Sequence, residues 1–292
     1  MELPETERRN ESLHGLDTLS SEALVTAIAG DQQRAIDAVL AAASDLGAIV
    51  EKISERLSNG GRLHYVGAGT SGRLGVLDAS EMPPTFGVPR DLVCGHIAGG
   101  ERAIRSAVEG AEDDRVAGET EMSEHVRPSD AVIGLSASGG APYVIGAIER
   151  ARTIGAYTVA IVNSAPSPLA DAAEAAVVLQ TGPEAVTGST RLKAGTSQKI
   201  ALNVISTAVM VKLGKVYENL MVDVVATNAK LRKRASRLVQ LLAGVDDDTA
   251  VSLLERANGR VKIAVVMARQ GVDADAAARL LERERGYLRN LV

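Results

Sequence analysis

The sequence predicts an α/β fold: a doubly wound parallel sheet flanked by helices, with an N-terminal helical segment and a small C-terminal three-helix domain. Three observations carry this. Between residues 63 and 180, short β-type runs alternate with helical patterns, the order that right-handed βαβ units produce. A long stretch with apolar residues at three and four spacings precedes them, and such spacing is that of an amphipathic helix. Three short helical patterns punctuated by glycines follow them.

The elements run in order as follows. Residues 19–58 read as helix through Ile36, Val39, Leu40, Leu46, Ile49, Val50, Ile53 and Leu57, stopped by Asn59-Gly60-Gly61 as glycines stop helices. A first strand, Leu63–Val66, leads through the loop Gly67–Gly72 into a helix over Arg73–Ser80. A second strand covers Asp91–Ile97. A third, Ala131–Leu135, leads through Ser136–Gly140 into a helix over Tyr143–Ile154. The fourth and fifth are Tyr157–Val162 and Ala176–Gln180. Helical signals then dominate from Leu192 to Leu242, with the apolar run Ile200–Leu213 read as a buried helix. Asp246-Asp247-Asp248 marks a boundary with N-capping character. Helical patterns at 249–257, 260–269 and 273–282 follow, separated by Gly259, Gly271 and Gly286.

The 292 residues allow one large α/β domain and a small appendage. With one Phe, five Tyr and no Trp, the core is aliphatic and no aromatic platform for bases or sugar rings is evident. A net charge of -5 argues against nucleic acid as a partner, since phosphate neutralisation needs a basic face. The lone Cys94, after Leu92-Val93, reads as a core thiol in a reducing compartment. His14, His64, His96 and His125 are scattered without zinc-ligand spacing, so no metal is expected. The charged N-terminus lacks the apolar core of a signal peptide, and no apolar run reaches membrane-spanning length. The expected location is cytoplasmic, with no membrane partner.

Gly67-Ala68-Gly69-Thr70-Ser71-Gly72 matches G-x-G-x-x-G between a strand and a helix. A dinucleotide site also needs an acid at the end of the next strand, and Gly95-His96-Ile97-Ala98-Gly99-Gly100 offers none. A smaller anion suits the loop better. Backbone N–H groups at a helix N-terminus bind it, glycine allows its close approach, and Thr70 and Ser71 add hydroxyl donors. Ser136-Ala137-Ser138-Gly139 repeats the arrangement after the third strand. Two hydroxyl-rich loops on two parallel strands suit a phosphate monoester; ordinary Ser/Gly turns remain the alternative.

Asp78 and Glu81 close the helix that follows the first loop, and Glu109, Glu112, Asp113 and Asp114 follow the second strand. Such acids are either solvated surface groups or, if burial separates their pKa values, a base and an acid. Thr187–Lys199, with Ser189, Thr190, Arg191, Lys193 and Lys199, suits a loop closing over an anionic sugar and equally a surface turn before a helix.

Taken together, these segments resemble a known family. The loops Gly-x-Gly-Thr-Ser-Gly and Ser-x-Ser-Gly look like those of the sugar isomerase (SIS) domain. Gly67–Gly87, Glu109–Asp113, Gly134–Gly139 with Pro142-Tyr143-Val144, and Gly182–Lys199 resemble the N-acetylmuramic acid 6-phosphate etherases over nearly the whole chain. The resemblance implies an SIS-type sheet and a division into a helical segment over 1–50, a phosphosugar-binding domain over 51–242 and a UBA-like helical domain over 243–292. It implies a lyase that removes D-lactate from C3 of the 6-phosphorylated sugar by elimination and hydration. A phosphosugar is the implied substrate, a homodimer with sites near the subunit interface the implied assembly, and no metal or organic cofactor is called for.

Glu81 matches the family's proton-donor glutamate, and Glu112 its second active-site glutamate, assigned as the base; the motifs alone would allow the two labels to be exchanged. Gly69, Thr70, Ser71, Ser136, Ser138 and Gly139 match the phosphate-binding loops. Ser189, Thr190 and Lys193 are the substrate contacts expected from the fourth block. The chain departs from the family where no proline follows Asn10, and where Gly140-Ala141 replaces a bulkier pair and puts one substrate contact in question. The rival readings on the same scaffold are an aldose–ketose phosphosugar isomerase, which needs no acid aimed at C3, and a non-catalytic phosphosugar sensor.

Overall fold

The computed structural model describes residues 4–223 and 229–292. They form two compact units: residues 4–80 with 90–206, and residues 81–89 with the described part of 207–292.

In the first unit, three 3-10 turns (Glu5–Glu7, Glu11–Leu13 and Leu16–Thr18) lead into α1 (Ser21–Asp31), α2 (Gln33–Ala41) and α3 (Ala43–Ser58). One continuous helix was expected over this stretch. The breaks fall at Gln32 and Ala42, both near helical backbone, and the first is where the chain is tied elsewhere. The Asp31 carboxylate meets Lys193, and Gln32 Oε1 accepts from Thr196 Oγ1 at 2.9 Å.

The sheet follows: β1 (Leu63–Gly67), α4 (Gly69–Phe86), β2 (Val93–Ile97), α5 (Gly100–Arg105), a 3-10 turn (Ala111–Asp113), α6 (Arg115–His125), β3 (Ala131–Ser136), α7 (Pro142–Ile154), β4 (Tyr157–Val162), α8 (Pro168–Ala172), β5 (Ala175–Val178) and α9 (Lys193–Lys212). The strands are parallel in the order β2-β1-β3-β4-β5, with Gly67 opposite Ile97 on one side and Leu135 on the other. The burial of β1, β3 and β4 along their whole length is what coverage of both faces demands. Val66, Val132, Ala160 and Val162 pack with Val144, Ala147, Ile148 and Ala151 of α7 and Met122 of α6. On the other face, Gly75 of α4 lies against Tyr65 and Leu135.

α4 outruns its expected end at Ser80 and includes Pro83 and Pro84. Proline keeps a helical φ, but its missing N–H forfeits a hydrogen bond and its ring crowds the carbonyl four residues back; buried Met82 and Phe86 flank the two prolines in the extra turn.

In the second unit, a two-stranded antiparallel hairpin, β6 (Val216–Tyr217) and β7 (Leu220–Met221), stands where helix was expected. Gly214, at φ +71°, ends α9 with its own N–H on Val211 O and the Lys215 N–H on Met210 O, a left-handed glycine cap. Part of that expected helical run, residues 224–228, lies outside the described residues. α10 (Ala229–Ala243) buries Ala235, Leu238, Val239 and Leu242, the three and four spacing of a packed helix face. With α11 (Asp247–Arg256), α12 (Val261–Gln270) and α13 (Ala274–Arg283) it closes a core around Val265, Val266 and Leu281. No helix among the described residues is long and apolar enough to cross a membrane.

Candidate active site

Parallel sheets of this kind bind ligands beyond the carboxyl ends of their strands, and a cavity of about 400 Å³ opens there in the first unit. β1 and β3, neighbours in the sheet though about 70 residues apart in sequence, each feed one hydroxyl loop into it. The loop after β1 turns tightly because Gly67 and Gly72 pass where no side chain fits: a Cβ on Gly72 would lie 2.7 Å from Gly67 O and 2.6 Å from Ile97 Cγ1. α4 thus begins at Gly69, and the residues of its first turn, Gly69, Thr70 and Ser71, line the cavity.

Of the candidate residues, Gly69, Thr70, Ser71, Glu112, Ser136, Ser138 and Thr190 line this cavity. So do Asp113, Gly140, Ala141 and Glu7. The hydroxyls are not equivalent. Ser71 Oγ donates to Gln198 Oε1 at 2.7 Å. Ser136 Oγ and Ser138 Oγ instead accept, from Gly139 N–H at 3.0 Å and Gly140 N–H at 3.3 Å, which leaves their protons for a ligand. Gly139, at φ +72°, closes this second loop; a Cβ there would meet Ser167 at 2.4 Å, so the position requires glycine.

Other candidates stand outside the cavity wall. The Lys193 ammonium is fully buried and held by both oxygens of Asp31 at 2.8 Å; expected as a substrate cation, it is placed as an internal ion pair, because the first turn of α9 faces α1. Ser189 is half-buried but does not line the cavity. Glu81 is exposed on α4, ten residues past Ser71, and belongs to the second unit. Asp78, its neighbour among the sequence candidates, is buried and accepts from Tyr65 Oη at 3.0 Å, Asn203 Nδ2 at 2.7 Å and Ser206 Oγ at 3.2 Å. Its carboxylate is consumed in joining α4 to β1 and α9.

The floor behind the loops is a buried polar network. Gln198 Nε2 donates to Asn163 Oδ1 at 3.0 Å, and Asn163 Nδ2 donates to Leu179 O at 3.0 Å and Ser197 Oγ at 2.8 Å. Glu184, fully buried, accepts from the N–H groups of Lys193 and Ala194 at the start of α9, at 3.1 and 2.9 Å; burial raises its pKa despite those hydrogen bonds. That cap sets the turn from which Thr190 reaches the cavity.

Two of the four histidines, His64 and His96, meet in space. His64 Nδ1 and His96 Nε2 are 3.0 Å apart, His64 Nε2 meets Asp130 at 3.2 Å, and His96 Nδ1 meets Glu121 at 2.7 Å. Burial lowers the His64 pKa, against the Asp130 hydrogen bond that raises it. Burial raises that of Asp130, but hydrogen bonds from His64, Arg127 and Arg62 outweigh it and hold the carboxyl well below its usual range. None of these residues lines the cavity. Cys94 is half-buried rather than core, with its Sγ on Asp91 O.

Two hydroxyl loops at the carboxyl ends of adjacent parallel strands define an SIS domain. Accordingly, residues 114–208 match the SIS domain family and residues 45–152 the glucokinase regulatory protein N-terminal SIS domain. The fold is shared with a phosphoheptose isomerase from Francisella tularensis at TM-score 0.50 and 14% identity, covering 66% of this chain and 100% of that one. Much greater similarity links the chain to N-acetylmuramic acid 6-phosphate etherases. The protein of that name from Deinococcus radiodurans is 54% identical over 90% of this chain and 88% of its own length. That from Pectobacterium atrosepticum is 50% identical over 97% and 94%. The chain belongs to the N-acetylmuramic acid 6-phosphate etherase family, a family of enzymes.

Proposed function

We propose that the protein cleaves the lactyl ether at C3 of N-acetylmuramic acid 6-phosphate, giving N-acetylglucosamine 6-phosphate and D-lactate. The observation that supports this most directly is the presence of Glu112 in the same cavity as the two hydroxyl loops. The phosphate sits against the N–H groups at the start of α4 and the hydroxyls of Thr70, Ser136 and Ser138, where a helix N-terminus and oriented donors favour an anion.

With the sugar ring open, the C1 aldehyde acidifies the proton on C2. Glu112 takes that proton, the C3–oxygen bond breaks, and Glu81 as a carboxylic acid protonates the departing lactate oxygen. Water then adds across the C2–C3 double bond, its hydroxyl to C3 and a proton to C2. The route needs only positioned acid and base, with no metal or organic cofactor.

The reading includes a homodimer in the cytoplasm with its sites near the subunit interface, the assembly that the family resemblance implies. The test is incubation of the purified protein with N-acetylmuramic acid 6-phosphate in oxygen-18-labelled water. D-lactate with label at C3 of the sugar is the expected result. Lactate carrying the label, from displacement at the lactyl carbon, would overturn the route, and binding without lactate release would favour a sensor.

A further inference from the structure

We infer that Glu7 is a sugar-binding residue of this site and that the N-terminal segment carrying it forms part of the cavity wall. The inference rests on the reading of the cavity as a phosphosugar site.

Glu7 lines the cavity together with Thr70, Ser136 and Thr190, although it precedes the nearest of them by more than sixty residues. It is mounted there from both sides. On one side Thr6 is fully buried, and its N–H donates to Ser164 Oγ at 3.4 Å, just past the end of β4. On the other, Asn10 is 7% exposed. Its Nδ2 donates to Pro183 O at 3.3 Å, just past β5, while its Oδ1 accepts from Ser12 N–H at 3.2 Å. The 3-10 turn Glu5–Glu7 is therefore pinned over the carboxyl ends of β4 and β5, the end of the sheet at which ligands bind. The Glu7 carboxylate rests on the Gly188 turn: a Cβ on Gly188 would come within 3.1 Å of Glu7 Oε2. Thr190, two residues on, lines the same cavity. Glu7 itself is exposed between these buried anchors, so its carboxylate is open to a ligand that enters the cavity.

Chemistry decides which part of the ligand this carboxylate meets. Ionised, it only accepts hydrogen bonds, and like charge disfavours it beside a phosphate or the lactyl carboxylate. The phosphate has its donors in the two hydroxyl loops. What remains for Glu7 is a neutral donor of the sugar chain, a hydroxyl or the acetamido N–H, which it holds in orientation.

The experiment compares the full-length enzyme with its Glu7→Ala and Glu7→Gln variants. Lactate release from N-acetylmuramic acid 6-phosphate gives kcat and KM, and calorimetry gives the affinities for that phosphosugar and for inorganic phosphate. Loss of a hydrogen bond to a charged acceptor is expected to raise KM roughly tenfold to a hundredfold in Glu7→Ala, and less in Glu7→Gln, which keeps one acceptor oxygen. kcat and the affinity for inorganic phosphate should stay at their wild-type values. An unchanged KM in both variants overturns the assignment. So does a collapse of kcat at unchanged KM, which makes Glu7 an acid or base, and so does an equal loss of inorganic phosphate affinity, which makes its role structural. A wild-type protein that releases no lactate sinks the etherase reading alone; weaker phosphosugar binding by the Glu7 variants would still support this assignment.

Discussion

Ser71 Oγ donates to Gln198 Oε1 at 2.7 Å, across 127 residues of sequence. A hydroxyl has one proton to give, so this bond separates Ser71 from the other loop serines. Ser136 and Ser138 only accept from their own loop. Ser136→Ala or Ser138→Ala should therefore raise KM by about 1.5–3 kcal/mol of lost binding to a charged partner. Ser71→Ala should instead chiefly lower stability, by about 1–3 kcal/mol for an unmatched buried acceptor. Steady-state kinetics beside denaturant unfolding of the three variants distinguishes these; the reverse ranking would put the phosphate on Ser71.

Glu81→Gln should cut lactate release by roughly a hundredfold or more, the usual worth of a general acid, while phosphosugar binding measured by calorimetry persists. Glu112→Gln should abolish exchange of the C2 proton with deuterated water. If Glu81→Gln abolishes that exchange and Glu112→Gln preserves it, the two labels are exchanged. Full turnover in Glu81→Gln would remove it from the mechanism.

The pair Lys193–Asp31 is buried on both sides, at 0% and 6% side-chain exposure. Lys193→Met leaves Asp31 charged and unpaired and should cost about 3–5 kcal/mol, whereas the double variant with Asp31→Leu should recover much of it. Urea unfolding of the single and double variants measures this. A Lys193→Met protein of normal stability but greatly raised KM would return Lys193 to the substrate.

Stability should fall as the pH drops from about 7 towards 5. Burial holds the folded-state pKa of His64 below its ordinary 6.5, with Asp130 opposing and His96 and Arg62 adding to the lowering. Unfolded chains then bind the proton first, so the contribution is fully present above 6.5 and is lost as pH falls below it. Glu121, lowered by its His96 hydrogen bond, and Asp130 act in the same direction at more acid pH; Glu184, whose pKa is raised, acts in the opposite one. A His64→Gln variant should show a flatter profile of melting temperature between pH 7 and 5. An identical slope would exclude His64 as the source.

Much of the architecture was legible because local rules produce it. β4 runs over the expected Tyr157–Val162, and α11 to α13 fall on the three expected helical patterns, since periodicity and glycine punctuation act within a few residues. Where a distant partner intervened, the reading failed. The expected N-terminal helix breaks between α1 and α2 where Asp31 and Gln32 are held by α9. The hairpin at Val216–Met221 replaced a helix because a left-handed Gly214 ends α9.

The site divides the same way. From the sequence alone came the two hydroxyl loops, as loops, and the acids beside them, because glycine turns and N-terminal helix donors are written in consecutive residues. The tertiary structure alone put those loops side by side through the β1–β3 pairing. It also gave Lys193 to Asp31, committed Asp78 to structure, brought His64 and His96 together and set Glu7 in the cavity wall. Each of these is a pairing between residues far apart in sequence. Its energy depends on burial and distance in the folded chain, and neither quantity is encoded in local spacing.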